Sequence, residues 1–398
     1  MMAPAIANES ELYFERGGPV QRSVQRFARS IGLELTIPVR IVGFLLITWV
    51  PLLLFALVEG RALAASPKES LLLDFGTYAR FFLAVPLLIV AEIIVGPRLR
   101  EAGRQFVQGG LVPPEEYAAF DRAIARAARR RESAVADFTI LAVAIIGSWM
   151  LTPETLYGEG LGTWRSPFRG TAEGGGLSFT GLWYHSIAVP VLQFIWYRWL
   201  WRLLVWAGFL WDVSGLELKL VGTHADQAGG LEFLGTAHTF FGIFACGLSA
   251  VLSAEVAFLV VFEKVDIATF KWPFVALLLI VQVFFLGPLL VFVPTLVRAR
   301  LAWLRDYSLL VDRYNRSFHE KWVTGTAPAT EPLLGSSDIQ SLADLGNSFR
   351  YVHEMKPLPF NLRVIVRLAI LTALPCLPLF LLVMPLEKLL ELLTKVLV

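Results

Sequence analysis

About seven runs of roughly 20 apolar residues divide this 398-residue chain, and each has the length an α-helix needs to cross about 30 Å of hydrocarbon. They lie at 38–58, 75–96, 135–152, 181–211, 236–262, 272–297 and 364–384. The chain is 56% hydrophobic and only 17% charged, with a mean hydropathy of +0.61, too apolar for a soluble domain of ordinary composition. The expected fold is therefore all-α, a polytopic transmembrane bundle with a small cytoplasmic helical layer. Residues 1–37 form a basic N-terminal segment ahead of a six-span bundle over 38–297, which includes a basic helical loop at 97–134. A helical hairpin at 298–362 follows, and 363–398 hold the seventh span and an amphipathic C-terminal helix.

Orientation follows from lysine and arginine. With the N-terminus in the cytoplasm, the inner connections carry 22 of these residues and the outer ones 8, a positive-inside bias. Arg22, Arg26 and Arg29 share one face of an N-terminal amphipathic helix, which suits anionic inner-leaflet headgroups. Arg122, Arg126, Arg129 and Arg130 form a second stripe, assigned to the same headgroups rather than to nucleic acid. Beyond the sixth span, Leu304, Tyr307, Val311, Tyr314, Phe318 and Trp322 recur every three or four residues, a seam that needs a partner. A following helix presenting Leu342, Leu345, Phe349 and Val352 could cover it within one subunit or between subunits, and a homo-oligomer is expected. The two cysteines, Cys246 and Cys376, both fall within spans and read as packing residues.

The chemistry lies where hydropathy should exclude it. Arg80 and Glu92 fall in the second span, Arg198 and Arg202 in the fourth and Glu255 in the fifth; each costs a few kcal/mol in hydrocarbon unless paired or hydrated. Depth predicts two interhelical ion pairs: Arg80 with Glu255 in the outer half, and Glu92 with the i, i+4 pair Arg198 and Arg202 toward the cytoplasm. Either they lock three helices together, or they line a polar path. Pro51, Pro86, Pro190, Pro288, Pro294, Pro375 and Pro378 interrupt five spans, as expected of helices bent around a polar interior.

One further stretch, VGTHADQAGGLEFLGTAH at 221–238, joins two apolar segments and gathers His224, Asp226, Glu232 and His238. No metal-ligand spacing is present, so neither a metal nor another cofactor is expected and no residue is assigned as catalytic. Asp226 can fold the backbone into an Asx-turn, and Gly229 and Gly230 can take positive φ. Their free N–H groups would then form an anion-binding nest at a cytoplasmic mouth.

The segment THADQAGGLEFLG and the closing LPFNLRVIVRLAILTALPCLPLFLLVMPLEKLLELL resemble stretches of uncharacterised multi-pass inner-membrane proteins of bacteria. The resemblance covers the second half of the chain best and implies a compartment and a topology, with no activity attached. The functional expectation is a channel or transporter for a small solute, with a lean toward anions, in which Arg80, Arg198 and Arg202 steer the solute and Glu92 and Glu255 balance them. Two alternatives belong to other classes. One is a membrane enzyme acting on lipid or a phosphorylated substrate through His224, Asp226 and His238, and the other a non-transporting sensor or scaffold.

Overall fold

A computed structural model describes residues 17–150, 163–165, 178–328 and 331–383, and among them all regular structure is helical. The amphipathic helix expected near the C-terminus lies outside the described residues.

The helices are α1 (Pro19–Ser30), α2 (Ile37–Val58), α3 (Phe75–Gln108), α4 (Pro114–Arg131), α5 (Ala134–Met150), α6 (179–214), α7 (Glu232–Phe262), α8 (Ile267–Val323), α9 (Ser337–Glu354) and α10 (Leu362–Leu379). Five of them, α2, α3, α7, α8 and α10, are long and apolar enough to cross a membrane, and α4 with α5, bent by 40° at their junction, would make a sixth span. The remaining expected span, α6, is helical as its pattern predicts. Six tryptophans and two arginines lower its apolarity, and it is not among the helices that qualify.

This composition suits the position of α6, which packs against α2, α4 and α5 and turns Trp199, Trp206, Phe209 and Leu210 into the core. Near the arginine-rich end, Phe106 of α3 sits 6.1 Å from Phe120 of α4 and stacks on Phe292 of α8 at 6.0 Å. On the other flank, α7 packs against α3 and α10. Helix α8 runs for 57 residues, far more than a bilayer requires, and its outer part packs on α9. The seam residues from Leu304 to Trp322 are half-buried there while their neighbours are mostly exposed, and Tyr314 Oη donates to the Asp338 carbonyl at 3.0 Å. The partner that the seam required is thus α9 of the same chain.

Two helices contain a π-helical turn at the same end of the bundle, Ala79–Ala84 in α3 and Tyr184–Ala188 in α6. Each is followed directly by Val-Pro. Pro86 and Pro190 have no N–H to give to the carbonyls of Phe82 and Ser186, and the widened turn accommodates the missing bond.

Candidate functional site

The intramembrane charges form two separate groups. At the arginine-rich end, Arg202 Nη2 of α6 donates to Glu92 Oε1 of α3 at 3.0 Å, and Arg40 Nη1 of α2 donates to Glu92 Oε2 at 2.5 Å. Arg40 is an additional partner, identifiable in the sequence only as an arginine three residues inside the first span. Arg198 does not share Glu92, contrary to expectation. Its guanidinium binds Asp137 of α5 and the carbonyl of Gly17 instead. The i, i+4 spacing does put both arginines on one side of α6, but α5 packs there and brings Asp137 closer than α3 brings Glu92. Gly18, at φ 97°, lets the chain pass this close, since a Cβ would sit 2.6 Å from Asp137 Oδ2 and 2.7 Å from Arg198 Nη2. Asp137 is completely buried and Arg198 and Arg202 are 6% and 7% exposed, so these ions meet in dry contact rather than across a hydrated cavity.

The second group lies at the opposite end, around the two π turns. Arg80 Nη2 meets Glu255 Oε1 of α7 at 2.5 Å, and its Nη1 donates to Tyr184 Oη at 3.4 Å. Arg165, carried on the short segment 163–165, donates through Nε to Asp74 Oδ2 at 2.9 Å and approaches Glu255 Oε1 at 3.4 Å. Asp74 also caps α3, accepting from the Thr77 N–H at 3.0 Å, and receives the Trp164 indole N–H at 2.9 Å. Burial works against the Asp74 charge, but Arg165 and Arg80 outweigh it and hold this carboxyl below the ordinary aspartate value. Burial likewise opposes the charge on Arg165, and Asp74, Tyr184 and Glu255 more than offset it. Gly76 makes the packing feasible: a Cβ there would overlap the Glu255 carboxylate.

Lys68, Asp74, Trp164, Arg165, Glu255 and Phe258 line a pocket of about 180 Å³ beside this cluster. Lys68 pairs with Glu263 at 3.2 Å. Asp74 and Arg165 were outside the expected set because they lie in the connections. The repeated Ala-Val-Pro at 84–86 and 188–190 is the sequence signal that marks both π turns and leads to the cluster. A larger cavity of about 430 Å³ between α8 and α10, lined by Phe274, Leu277, Cys376 and Leu379, is nearly all apolar and has little chemistry to offer.

The 221–238 stretch is a self-satisfied turn. Asp226 Oδ1 accepts from Ala228 N at 2.8 Å and Gly230 N at 3.1 Å, while Oδ2 accepts from Glu232 N at 3.1 Å. Gly229 and Gly230 take φ of 64° and 97°. The nest is therefore filled by the chain's own carboxylate. Burial opposes that charge, but the N–H donors, assisted by His224, keep Asp226 below its ordinary pKa. Both glycines are packed against side chains, Gly229 on Met355 and Leu220 and Gly230 on Leu111.

Nor does His238 join His224. It is fully buried in α7, with Nε2 accepting from Trp206 Nε1 at 2.8 Å and Nδ1 donating to the Phe285 carbonyl at 2.6 Å. His224 is half exposed and contacts Asp226 at 2.8 Å. What the turn does bind is the end of α9 and the connection from α9 to α10. Gln227 O accepts from Lys356 N at 2.7 Å, Gln227 Nε2 donates to Glu354 at 2.9 Å, and Asn361 Nδ2 donates to Glu232. Of the two arginine-rich stripes, α4 spends Arg126 and Arg130 on Asp212 of α6, at 3.0 and 3.6 Å.

Comparison with protein-family models, with curated proteins and with solved structures returns no match, so the site rests on the chemistry of its own residues.

Proposed function

We propose that the chain is a membrane carrier for a small polar solute, loaded at the pocket beside Asp74, Arg165 and Glu255 and closed at the other end by the Arg40–Glu92–Arg202 and Arg198–Asp137 contacts. The observation that carries this reading is the contrast between the two charged groups. One borders an open pocket and is built on two π turns, a feature concentrated at functional sites. The other is largely closed to solvent, with Asp137, Arg198 and Arg202 buried and Glu92 and Arg40 partly exposed, which suits a barrier. A pocket of about 180 Å³ holds the volume of about six waters, which limits the solute to a small molecule.

In this reading the buried group faces the cytoplasm across a bacterial inner membrane and the pocket faces outward, which the positive-inside bias supports. Exchange between two faces would then require Arg198 and Arg202 to part from Asp137 and Glu92 while the pocket closes.

Reconstitution into liposomes tests this. A panel of small anions, zwitterions and neutral solutes is screened for uptake, with Arg165→Gln and Glu255→Gln as pocket variants and the exposed Arg305→Gln as control. Uptake of one class, lost in the pocket variants and kept in the control, is the expected result. No uptake of any class by folded protein would overturn the carrier reading.

A non-transporting scaffold is the second reading, favoured by the hairpin of α8 and α9, which leaves Leu301, Leu309, Leu310 and Leu334 exposed. Self-association through these leucines would make the chain a homo-oligomer. Sedimentation of the purified chain, with Leu309→Glu and Leu310→Glu as disruptive variants, separates that role from transport.

A further inference from the structure

The cavity of about 430 Å³ between α8 and α10 lies between two helices that are each long and apolar enough to cross a membrane. Its volume falls in the roughly 300–1,000 Å³ range of small-molecule sites. Phe274, Leu277 and Leu278 wall it on α8, and Ala373, Leu377 and Leu379 on α10. The polar atoms of the α10 wall are committed elsewhere. Thr372 Oγ1 donates to the Leu368 carbonyl at 2.8 Å, the Pro375 carbonyl accepts from Ser253 Oγ at 2.8 Å, and Cys376 Sγ lies 3.2 Å from Ser249 Oγ. A polar ligand entering here would give up its hydrogen bonds to water and find none in return, whereas hydrocarbon has none to lose.

One end of the cavity carries a charge. Lys271, near the start of α8, is exposed and lines the cavity, with its ammonium 5.6 Å from the ring of Trp272, which is 72% exposed. An exposed tryptophan beside a lysine at the end of an apolar helix is the pair that settles at the level of lipid headgroups. The neighbouring acids are engaged: Asp266 accepts from Ala268 N at 2.9 Å, and Glu263 pairs with Lys68 at 3.2 Å. From Lys271 to Leu278 the helix descends roughly 10 Å along the apolar wall.

We propose that this cavity is a lipid site, holding one acyl chain of an anionic phospholipid with its phosphate on Lys271. The apolar wall selects hydrocarbon, and the lysine at its end selects a negative headgroup. Cys376 and Leu379 pack on Val256, the residue after Glu255, so the bound chain braces the helix that carries one acid of the candidate pocket. The lipid site stands whether or not the chain is a carrier.

Photolabelling of the full chain in nanodiscs tests this, with a phosphatidylglycerol that carries a diazirine midway along one acyl chain as the probe. Label should concentrate on peptides 271–278 and 372–379. Unlabelled phosphatidylglycerol should displace it about fivefold better than phosphatidylcholine does, the effect of one lysine near an anionic lipid. Lys271→Gln, at an exposed position, should abolish that preference and keep the label. Ala373→Phe, which fills the cavity, should lose the label where it folds.

Label spread evenly over the lipid-facing helices would mean ordinary annular lipid and overturn the proposal. So would an unlabelled cavity in the folded wild-type chain, the result expected if a second copy or another part of the chain covered it. Equal displacement by the two lipids would overturn the assignment of the phosphate to Lys271, and full labelling of folded Ala373→Phe would overturn the assignment of the acyl chain to this cavity.

Discussion

Arg198 of α6 and Asp137 of α5 meet in the buried interior, with Asp137 wholly buried and the Gly17 carbonyl accepting a second bond from the guanidinium. A pair of this kind is weak evidence for stability, because its attraction is largely consumed in desolvating both ions. It does specify geometry, since removing one partner strands the other. The pairing sets the rotation of α6 against α5 and ties the segment entering α1 to the bundle.

Asp137→Asn should therefore destabilise the protein by about 3–5 kcal/mol, the cost of an uncompensated buried charge. Asp137→Leu combined with Arg198→Met should recover most of it. Thermal unfolding in detergent, followed by intrinsic fluorescence, reads both. A double variant as unstable as the single one would show that the contact carries more than pairing.

At the pocket, Gly76→Ala should act on a side chain it never replaces. The added methyl occupies the space of the Glu255 carboxylate, so Arg80 and Arg165 lose their shared acid. Overpacking of this type costs about 1–3 kcal/mol. Loss of solute binding should match that of Glu255→Gln. Binding at wild-type strength in Gly76→Ala would mean that the pair is dispensable.

The turn at 221–231 should show a defined pH signature. Asp226 has a lower pKa folded than unfolded, so its stabilisation is fully present above its ordinary value and lost as pH falls below it. Asp226→Asn should cost roughly 1–3 kcal/mol near neutrality by leaving N–H donors weakly satisfied. The gap to wild type should narrow as pH falls below about 4. A constant gap from pH 7 to pH 3 would remove Asp226 from the acid transition.

For His238, both ring nitrogens are already used, so its removal should read as structural. His238→Phe strands the Trp206 indole N–H and the Phe285 carbonyl, at about 1–3 kcal/mol for each unsatisfied group. His224→Ala, at an exposed position, should change stability by less than about 1 kcal/mol. Equal metal content in wild type and both variants is the expected analysis. Zinc lost from either variant would return these histidines to the enzyme reading.

The helical character, the approximate helix positions and the pairing of Arg80 with Glu255 were legible in the residues themselves. Apolar length and buried charge act through the bilayer, a solvent whose demands are the same for every chain. The half-buried seam from Leu304 to Trp322 was legible for the same kind of reason, because helical periodicity places those side chains on one face whatever the partner. Which acid met Arg198 depended on which helix packed against that face of α6, and no local pattern encodes that choice. Asp74 and Arg165, 91 positions apart, met only after α3 and the segment at 163–165 were brought to one end of the bundle. The same holds for the Gly229–Gly230 nest. Of its expected donors Gly230 does donate, but the folded loop added Ala228 and Glu232 and turned the Asp226 carboxylate into them, because the strongest acceptor within reach satisfies buried N–H groups before any ligand arrives.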